Sequence, residues 1–557
     1  MTEDLHKLLL EKLGDTGFTQ VNLALPRREI SAHFQLHQHE IELICKLGEA
    51  FPYTFPDIYI AQDSYKKLPQ LPHVGSDCKL CLFDTSKSIP DIKNPIGLIV
   101  STFYLARKAI EDGFEGINGN DVHDEISAYW NLKSDDQDFH IVESILSKHD
   151  EPTTLPGIWL KKIIYVADNC TLLQHYYDHI YGTNAAKDDY IQCLYLPFHQ
   201  EISFPLPKTN LGFYSMIKKD SKAFPAYNKF LDNNLGKRHL VILDIGETEP
   251  ILLPFMHRII KTRIHGFRNA RVPAYILLGY NNKICSPMRM SLTNMNQERL
   301  FNRGGVGLWK KLQRIAIIGC GSVGSSLVEA FKDCGTSHFS LIDADTLKAD
   351  NLARHYCGYE YLRNHKVDAI KEKLIKENPN IDCRTFAIDG FEFLKLKSIE
   401  LNEVDFVFVA VGDYPFEYKI LKDFNAGIIN KPIIIVWVEP FVAAAHAIII
   451  SKHQQVYDEL FDSQLNFKYQ VIKNAQQFLK RESGCQSTFM PYSIIELKKF
   501  IYDFLEYFTD TYVEKNKARN YVYTWFGKNL KDESLSFEIN PFWKGKMDSG
   551  FYINRVD

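Results

Sequence analysis

The chain has 557 residues, 45% of them hydrophobic, 24% charged and 13% aromatic, enough for three or four separate cores at ~150 residues each. That composition excludes wholesale disorder and collagen-like or coiled-coil classes. Lys and Arg total 65 against 69 Asp and Glu, a net charge of -4, so no global basic field draws the chain to nucleic acid or to a membrane, and neither is expected as a partner.

Met1 to Leu13 sets Glu3, Asp4, Glu11 and Lys12 among leucines, which predicts an amphipathic helix rather than a signal peptide and hence a cytoplasmic protein. Alternation over Ile30 to Leu36 and Ile41 to Leu47 predicts two strands. A turn-rich Pro and Gly segment and a helix over Pro95 to Ile110 follow, and the charged stretch Ser134 to Asp150 closes this α+β domain, residues 1–150. Cys78-Lys79-Leu80-Cys81 lacks the second CxxC that a structural zinc would need. It also lacks the helix start of a redox CxxC, because Lys79 to Phe83 alternates like an extended segment. Residues 151–300 alternate short apolar strands, Trp159 to Val166, His239 to Leu243 and Ala274 to Leu278, with polar helices; they hold no glycine-rich loop and no evident chemistry.

From Leu312 the alternation of strand and helix is regular, the pattern of a mostly parallel sheet covered on both faces, and residues 301–557 form the last domain. The apolar run Arg314 to Ile318 leads into Gly319-Cys320-Gly321-Ser322-Val323-Gly324 and then a helix, a context in which glycines let backbone amides and a helix N-terminus face a phosphate. The next strand ends at Asp343, 19 residues beyond Gly324, where a carboxylate can accept from a ribose hydroxyl. These features fit a nicotinamide dehydrogenase and an ATP-using enzyme alike. Pro432 to Ile450 is broken by Glu439, Pro440 and His446, so it predicts two buried strands and not a membrane span. The 11 cysteines have no framework spacing and are expected as free thiols, with Cys320, Cys334, Cys357 and Cys383 in the core. Cys485 differs: Lys480, Arg481 and a helix starting near Ser493, with Glu496 closing a capping box, favour its thiolate, and Gly484 leaves room beside it.

Asp343-Ala344-Asp345, Asn351-Leu352-Ala353-Arg354, Lys366-Val367 and the strand Asp405 to Val411 ending at Gly412-Asp413 form an ordered set. It resembles the adenylating enzymes of the ThiF, MoeB and ubiquitin-activating family. The resemblance implies a Rossmann-like domain with ATP over Gly319, Gly321 and Gly324 and the ribose on Asp343. It further implies Asn351, Arg354 and Lys366 about the triphosphate, Mg2+ on Asp413, and a catalytic cysteine, Cys485, after the adenylation core. Tyr414 and Glu417 stand where that family has Asn and Arg.

Phe51-Pro52-Tyr53-Thr54-Phe55-Pro56, Pro72-His73-Val74, Gly75 and Lys79-Leu80-Cys81-Leu82, followed by the helix from Pro95, resemble the ubiquitin-conjugating fold. The resemblance identifies Cys81 as acyl carrier; the family's usual Asn is missing, which leaves His73 or a nearby hydroxyl in its place. Both halves together resemble the bacterial CBASS-associated fusion of conjugating-like and activating-like domains. On that resemblance the central region is an inactive adenylation-like domain used for dimerisation. The client is a cGAS/DncV-like nucleotidyltransferase with a free flexible C-terminus, the acceptor is an amine on a protein or small molecule, and the setting is anti-phage defence. A ubiquitin-like or sulfur-carrier client is the alternative, and a dinucleotide-dependent oxidoreductase the distant one.

Overall fold

The computed structural model describes residues 2–556 apart from 25–26, 70, 76, 86, 118–125, 127–129, 131–139, 183–184, 203–205, 261–263, 269–271, 305–313, 453–456, 465, 482–487 and 515–518. The chain divides into two compact units, residues 1–175 with 184–294 and residues 176–183 with 295–557.

The first unit begins with the helix Thr2–Asp15, whose Leu9 and Leu13 are buried against an antiparallel meander in the order β1 (Thr19–Ala24), β2 (Glu29–Leu36), β3 (His39–Lys46), β4 (Asp57–Ile60). Period-two patterning sets the register: Ile30, Ala32, Phe34 and Leu36 line the core face of β2, and Ile41, Leu43 and Cys45 line that of β3. The helix Pro95–Glu115 starts where Asn94 Oδ1 accepts from the Gly97 amide at 2.9 Å and stops at Gly116, whose φ is +73°. Its Ile99, Phe103, Ala106 and Ile110 fall on one face and close the core, each large apolar side chain contributing about 1.5–3 kcal/mol.

A second sheet of this unit runs β11-β10-β9-β8-β6-β7-β5-β12, with β5 (Ile141–Ile145), β6 (Thr153–Leu160), β7 (Ile163–Ala167), β8 (Tyr190–Pro197), β9 (His239–Asp244), β10 (Leu252–Met256), β11 (Met288–Arg289) and β12 (Ser291–Asn294). Three details depart from the sequence reading. The charged stretch Ser134 to Asp150 contains β5, which pairs with β7 and β12. Trp159 to Val166 is a hairpin and not one strand, because the polar pair Lys161-Lys162 turns the chain, with Lys161 at φ +46°. Ala274 to Leu278 opens a helix, Ala274–Asn281, after Pro273; its apolar residues run around the whole helix, so no period separates it from a buried strand.

The second unit is a Rossmann-like sheet, β15-β14-β13-β16-β17-β18-β21-β22, made of β13 (Arg314–Ile318), β14 (His338–Ile342), β15 (Asp382–Phe386), β16 (Phe406–Val409), β17 (Ile433–Val438), β18 (Ala444–Ile450), β21 (Tyr521–Phe526) and β22 (Phe551–Arg555). β15 through β17 are parallel, and the remaining strands pair antiparallel. A separate short pair joins β19 (Lys480–Arg481) to β20 (Thr488–Phe489). β17 and β18 are the two buried strands expected in Pro432 to Ile450. Strand order reverses between β13 and β16, which opens a crevice at the carboxyl ends of the strands. The fold is thus multidomain α/β, with an α+β domain first and the Rossmann-like domain last.

Candidate active site

The loop after β13 is shaped by two glycines. Gly319 has φ +88°, and an added Cβ would lie 2.7 Å from the Ala410 carbonyl oxygen; at Gly324 it would lie 1.8 Å from the Gly319 carbonyl oxygen. Gly321 meets nothing within 4 Å, so the loop is tight toward the sheet and open on its outer side, where the helix Ser322–Asp333 presents its N-terminus.

Asp343 closes β14 against this loop: its Oδ2 accepts from the Cys320 amide at 2.7 Å and its Oδ1 from the Asp345 amide at 2.8 Å. Lys366, the first residue of the helix Lys366–Glu377, places Nζ 2.7 Å from Asp345 Oδ2 and 3.9 Å from Asp343 Oδ2. The lysine side chain is 9% exposed, and an ammonium so buried must be compensated by such carboxylates. Asn351 uses its own Oδ1 on the Lys348 amide, 3.0 Å, and its carbonyl on the amides of Arg354 and His355. It therefore shapes the turn that presents Arg354. The Arg354 guanidinium lies 4.9 Å from the centre of the Tyr492 ring, its Nη1 donates to the Met490 carbonyl at 3.3 Å, and its own carbonyl accepts from Ser322 Oγ at 2.8 Å. His355 spans the same loop, with Nε2 3.0 Å from the Cys320 carbonyl; burial pushes it down to about 4, so it is neutral at physiological pH.

Asp413 stands one strand over, exposed at the N-terminus of the helix Tyr414–Asn425, where its side chain caps no amide. One turn on, Glu417 is pushed up to about 7 by burial and, secondly, by the charge of Asp413. The structure thus gathers Gly319, Gly321, Gly324, Asp343, Lys366 and Arg354 around one loop and sets Asp413 at the end of the neighbouring strand. Among the described residues no group of three or more His, Cys, Asp or Glu is placed to enclose a metal.

In the first unit Cys81 is exposed, and its amide donates to the His73 carbonyl at 2.8 Å, so the two residues face each other across a short hairpin. His73 has φ +60° and is half-buried. Lys79 and Leu80 form bridges to Tyr59 and Val74, the Leu80 amide donates to Ile58, and Cys81 emerges just past this extension of the sheet. Beside it runs a groove of about 550 Å3 lined by Phe55 and Phe83, whose rings stack 4.1 Å apart, and by the ion pair of Asp57 and Lys79 at 2.6 Å. Cys78 is buried, and burial raises its thiol above the usual range, then Asp77 raises it further. Cys357 is likewise pushed up to about 12 by burial and Cys334 to about 11, as expected of packing residues.

Cys485 lies outside the described residues; β19 and β20 pair antiparallel on either side of it, Arg481 opposite Thr488. Ser493 Oγ caps the helix Ile494–Tyr507 through the Ile495 amide, but Glu496 closes no capping box: its Oε1 takes Lys499 at 3.2 Å and Lys528 at 3.3 Å, because two lysines compete for the carboxylate.

Two features have no counterpart in the sequence reading. At the carboxyl ends of β8 and β9 lies a cavity of about 870 Å3 lined by Phe198, Ile202, His149 and His199, the two histidines 2.9 and 3.3 Å from Asp168 and Asp220. These residues are scattered over 72 positions with no motif. Glu439 and His446, which in the sequence only interrupt an apolar run, form a buried pair with Oε1 and Nε2 2.6 Å apart.

Residues 295–478 match the ThiF family, and residues 5–139 match the prokaryotic E2 family B. Among curated proteins the chain is similar to the ATP-dependent ubiquitin transferase-like protein Cap2 of Pseudomonas aeruginosa, 23% identical over 185 residues and 32% of each chain. It is also similar to the protein of the same name from Vibrio cholerae, 25% identical over 278 residues and 46% of each chain. The matched stretches therefore span a third to a half of these relatives. Solved structures include PaaA, 16% identical over 44% of this chain and 64% of that one at a TM-score of 0.30, and E. coli MccB with ATP, 16% over 45% and 65% at 0.28. The chain is a fusion of an E2-like domain of the prokaryotic family B type with an E1-like domain of the ThiF type.

Proposed function

We propose that this chain is an ATP-dependent protein-activating and conjugating enzyme that activates a protein C-terminal carboxylate, carries the acyl group first on Cys485 and then on Cys81, and joins it to a target amine. The observation that carries the reading is the meeting of the glycine loop, Asp343 and Lys366 at one sheet edge in a chain whose other end is E2-like. The names of the Cap2 relatives support an ATP-dependent, ubiquitin transferase-like activity.

A carboxylate that attacks the α-phosphorus of ATP must approach a highly anionic nucleotide. Lys366 and Arg354 answer that repulsion: each now rests on Asp345 or on the Met490 carbonyl and Tyr492, partners that phosphate oxygens can replace. Asp343 accepts the ribose hydroxyl. The exposed carboxylate of Asp413, which caps no amide, would hold a Mg2+ ion, and that ion would supply charge neutralisation at the phosphates. The carboxylate oxygen bonds to phosphorus as the α–β bridge breaks, and pyrophosphate leaves. The Cys485 thiolate then attacks the acyl carbon and AMP leaves; the Cys81 thiolate attacks the thioester and frees Cys485. An amine attacks the second thioester and the C–S bond breaks, leaving an amide; the amine nitrogen gives up a proton and the departing Cys81 thiolate takes one up.

On this reading the client is a cGAS/DncV-like nucleotidyltransferase with a flexible C-terminus, and the acceptor amine is on a protein or small molecule in anti-phage defence. His73 stands in for the family's missing Asn. Residues 1–150, 151–300 and 301–557 are the conjugating-like, inactive adenylation-like and activating domains of a cytoplasmic homodimer. Client-dependent exchange of pyrophosphate into ATP tests the first step: Asp413→Ala and Arg354→Ala, both folded, are expected to abolish it. Full exchange in Asp413→Ala would remove the metal assignment.

A further inference from the structure

The turn between β17 and β18, residues 439–443, reaches both ends of the segment that carries Cys485. At the near end, the buried Glu439 accepts the Val471 amide on Oε1 and the Ile472 amide on Oε2, each at 2.7 Å. At the far end, the Phe441 amide donates to the Pro491 carbonyl at 3.2 Å. Between them, the Phe441 ring meets Phe478 edge to face at 5.8 Å. One five-residue turn thus touches residues 471, 472, 478 and 491, and Cys485 falls inside that span.

The turn carries backbone strain. Phe441 and Val442 are consecutive residues in the left-handed region, φ +57° and +50°, where side-chain-bearing residues are disfavoured and where strain collects at working sites. Glu439 is buried, its Oε1 lies 2.6 Å from His446 Nε2, and His446 Nδ1 in turn lies 3.1 Å from Thr524 Oγ1. Asn529 Nδ2 holds the Phe441 carbonyl at 2.8 Å, and Gly527 passes so close that an added Cβ would sit 2.4 Å from the Val442 carbonyl oxygen. A polar group buried with every partner satisfied fixes one arrangement of the backbone that it touches. The far end of the span continues directly to Met490 and Tyr492, which hold Arg354 at the nucleotide loop.

We infer that this turn is a clamp that sets both ends of the Cys485 segment relative to the nucleotide loop, with Glu439 as its positioning residue. The inference rests on the thioester reading of Cys485 for its functional consequence, not for the clamp itself. Glu439 touches no reacting atom. It acts by holding the entry at 471–472 while the same turn holds the exit at 491. Residues 536–540 also line the entry, where Lys473 donates to the Glu538 carbonyl at 2.8 Å, so loss of Glu439 loosens the segment without detaching it.

Hydrogen exchange on the full chain, without client or nucleotide, tests the clamp in Glu439→Gln, in which an amide NH2 replaces one of the two acceptor oxygens, and in Asn529→Ala, which removes a brace from the outer side of the turn. Glu439→Gln is expected to speed exchange about tenfold or more in peptides covering 470–473 and also in those covering 439–443 and 488–493, while 314–324 stays at the wild-type rate. Asn529→Ala is expected to speed the 439–443 and 488–493 peptides. If Glu439→Gln releases only 470–473, the ends are held independently and the clamp is wrong. If it loosens 314–324 equally, Glu439 is only a core residue, which also overturns the inference. The functional arm separates the two steps: Glu439→Gln should keep pyrophosphate exchange within about twofold and slow thioester formation about tenfold or more, whereas equal loss of both steps contradicts positioning. A wild type that exchanges pyrophosphate but never forms a thioester would end the Cys485 reading and leave the exchange data on the clamp standing.

Discussion

At Gly324 an added methyl group would fall 1.8 Å from the Gly319 carbonyl oxygen, whereas at Gly321 it would meet nothing within 4 Å. The two glycines therefore separate fold from binding. Gly324→Ala is expected to cost roughly 1–3 kcal/mol in urea unfolding, because the loop backbone must shift, and to remove ATP binding in calorimetry. Gly321→Ala should keep wild-type stability and weaken ATP binding alone, since its methyl group projects where phosphates would lie. Equal stability of the two variants would contradict the loop geometry. Glu417 gives a pH-dependent prediction at the same scale. Its carboxyl keeps its proton in the folded chain up to about 7, against 4.5 in the unfolded one, so between those values the folded state binds more protons. Stability must then fall as pH rises through this window, with a penalty on the order of 3 kcal/mol present above it. Urea denaturation at pH 5 and pH 8, without nucleotide or divalent ions, should show that Glu417→Gln lacks this part of the decline; an unchanged difference between the two pH values would show that Glu417 is not the group responsible.

Among the elements, the helix Pro95–Glu115 is the one whose limits the sequence marks most fully: Asn94 before Pro95 at the start, Gly116 at the end, and an apolar face between. Asn94→Ala is expected to lower stability by about 1 kcal/mol in chemical denaturation, since only the Gly97 amide loses its acceptor, and a cost near zero would contradict the cap. Legibility followed the strength of the local signal. β13 with its glycine loop, the strand ending at Asp343, and the pair β17 and β18 carry period, punctuation and length together, and all are readable. The helix Ala274–Asn281 is not, because five apolar residues in a row have no period, and the hairpin at Lys161 is hidden by apolar residues on both sides of two lysines. At the site, the position of Asp343 at a strand end marks it in sequence and the family resemblance marks Arg354 and Lys366, but their present partners are invisible in sequence. Arg354 reaches Met490, 136 positions away, and Glu439 reaches Val471 through a turn whose conformation no local pattern encodes. Contacts made by tertiary closure leave no periodic trace.

For the molecule as a whole, the proposed relay would gain from having both cysteine-bearing domains in one chain, since tethering holds one thiol at an effective concentration of ~mM near the other when the connection can span the gap. Among the described residues no helix is long and apolar enough to cross a membrane. The order of the two thiols is the central claim, because adenylate formation requires neither cysteine whereas each acyl transfer requires one particular thiolate. The direct measurement is an electrophoretic and mass-spectrometric assay of client adducts, with and without reducing agent, on Cys485→Ala, Cys81→Ala and Cys78→Ala given ATP and a cGAS/DncV-like client. Cys485→Ala should form acyl-adenylate and no thioester, Cys81→Ala should accumulate a reducible client adduct on Cys485, and Cys78→Ala should match the wild type. Completed conjugation by Cys81→Ala, or a thioester on Cys81 in Cys485→Ala, would contradict the relay.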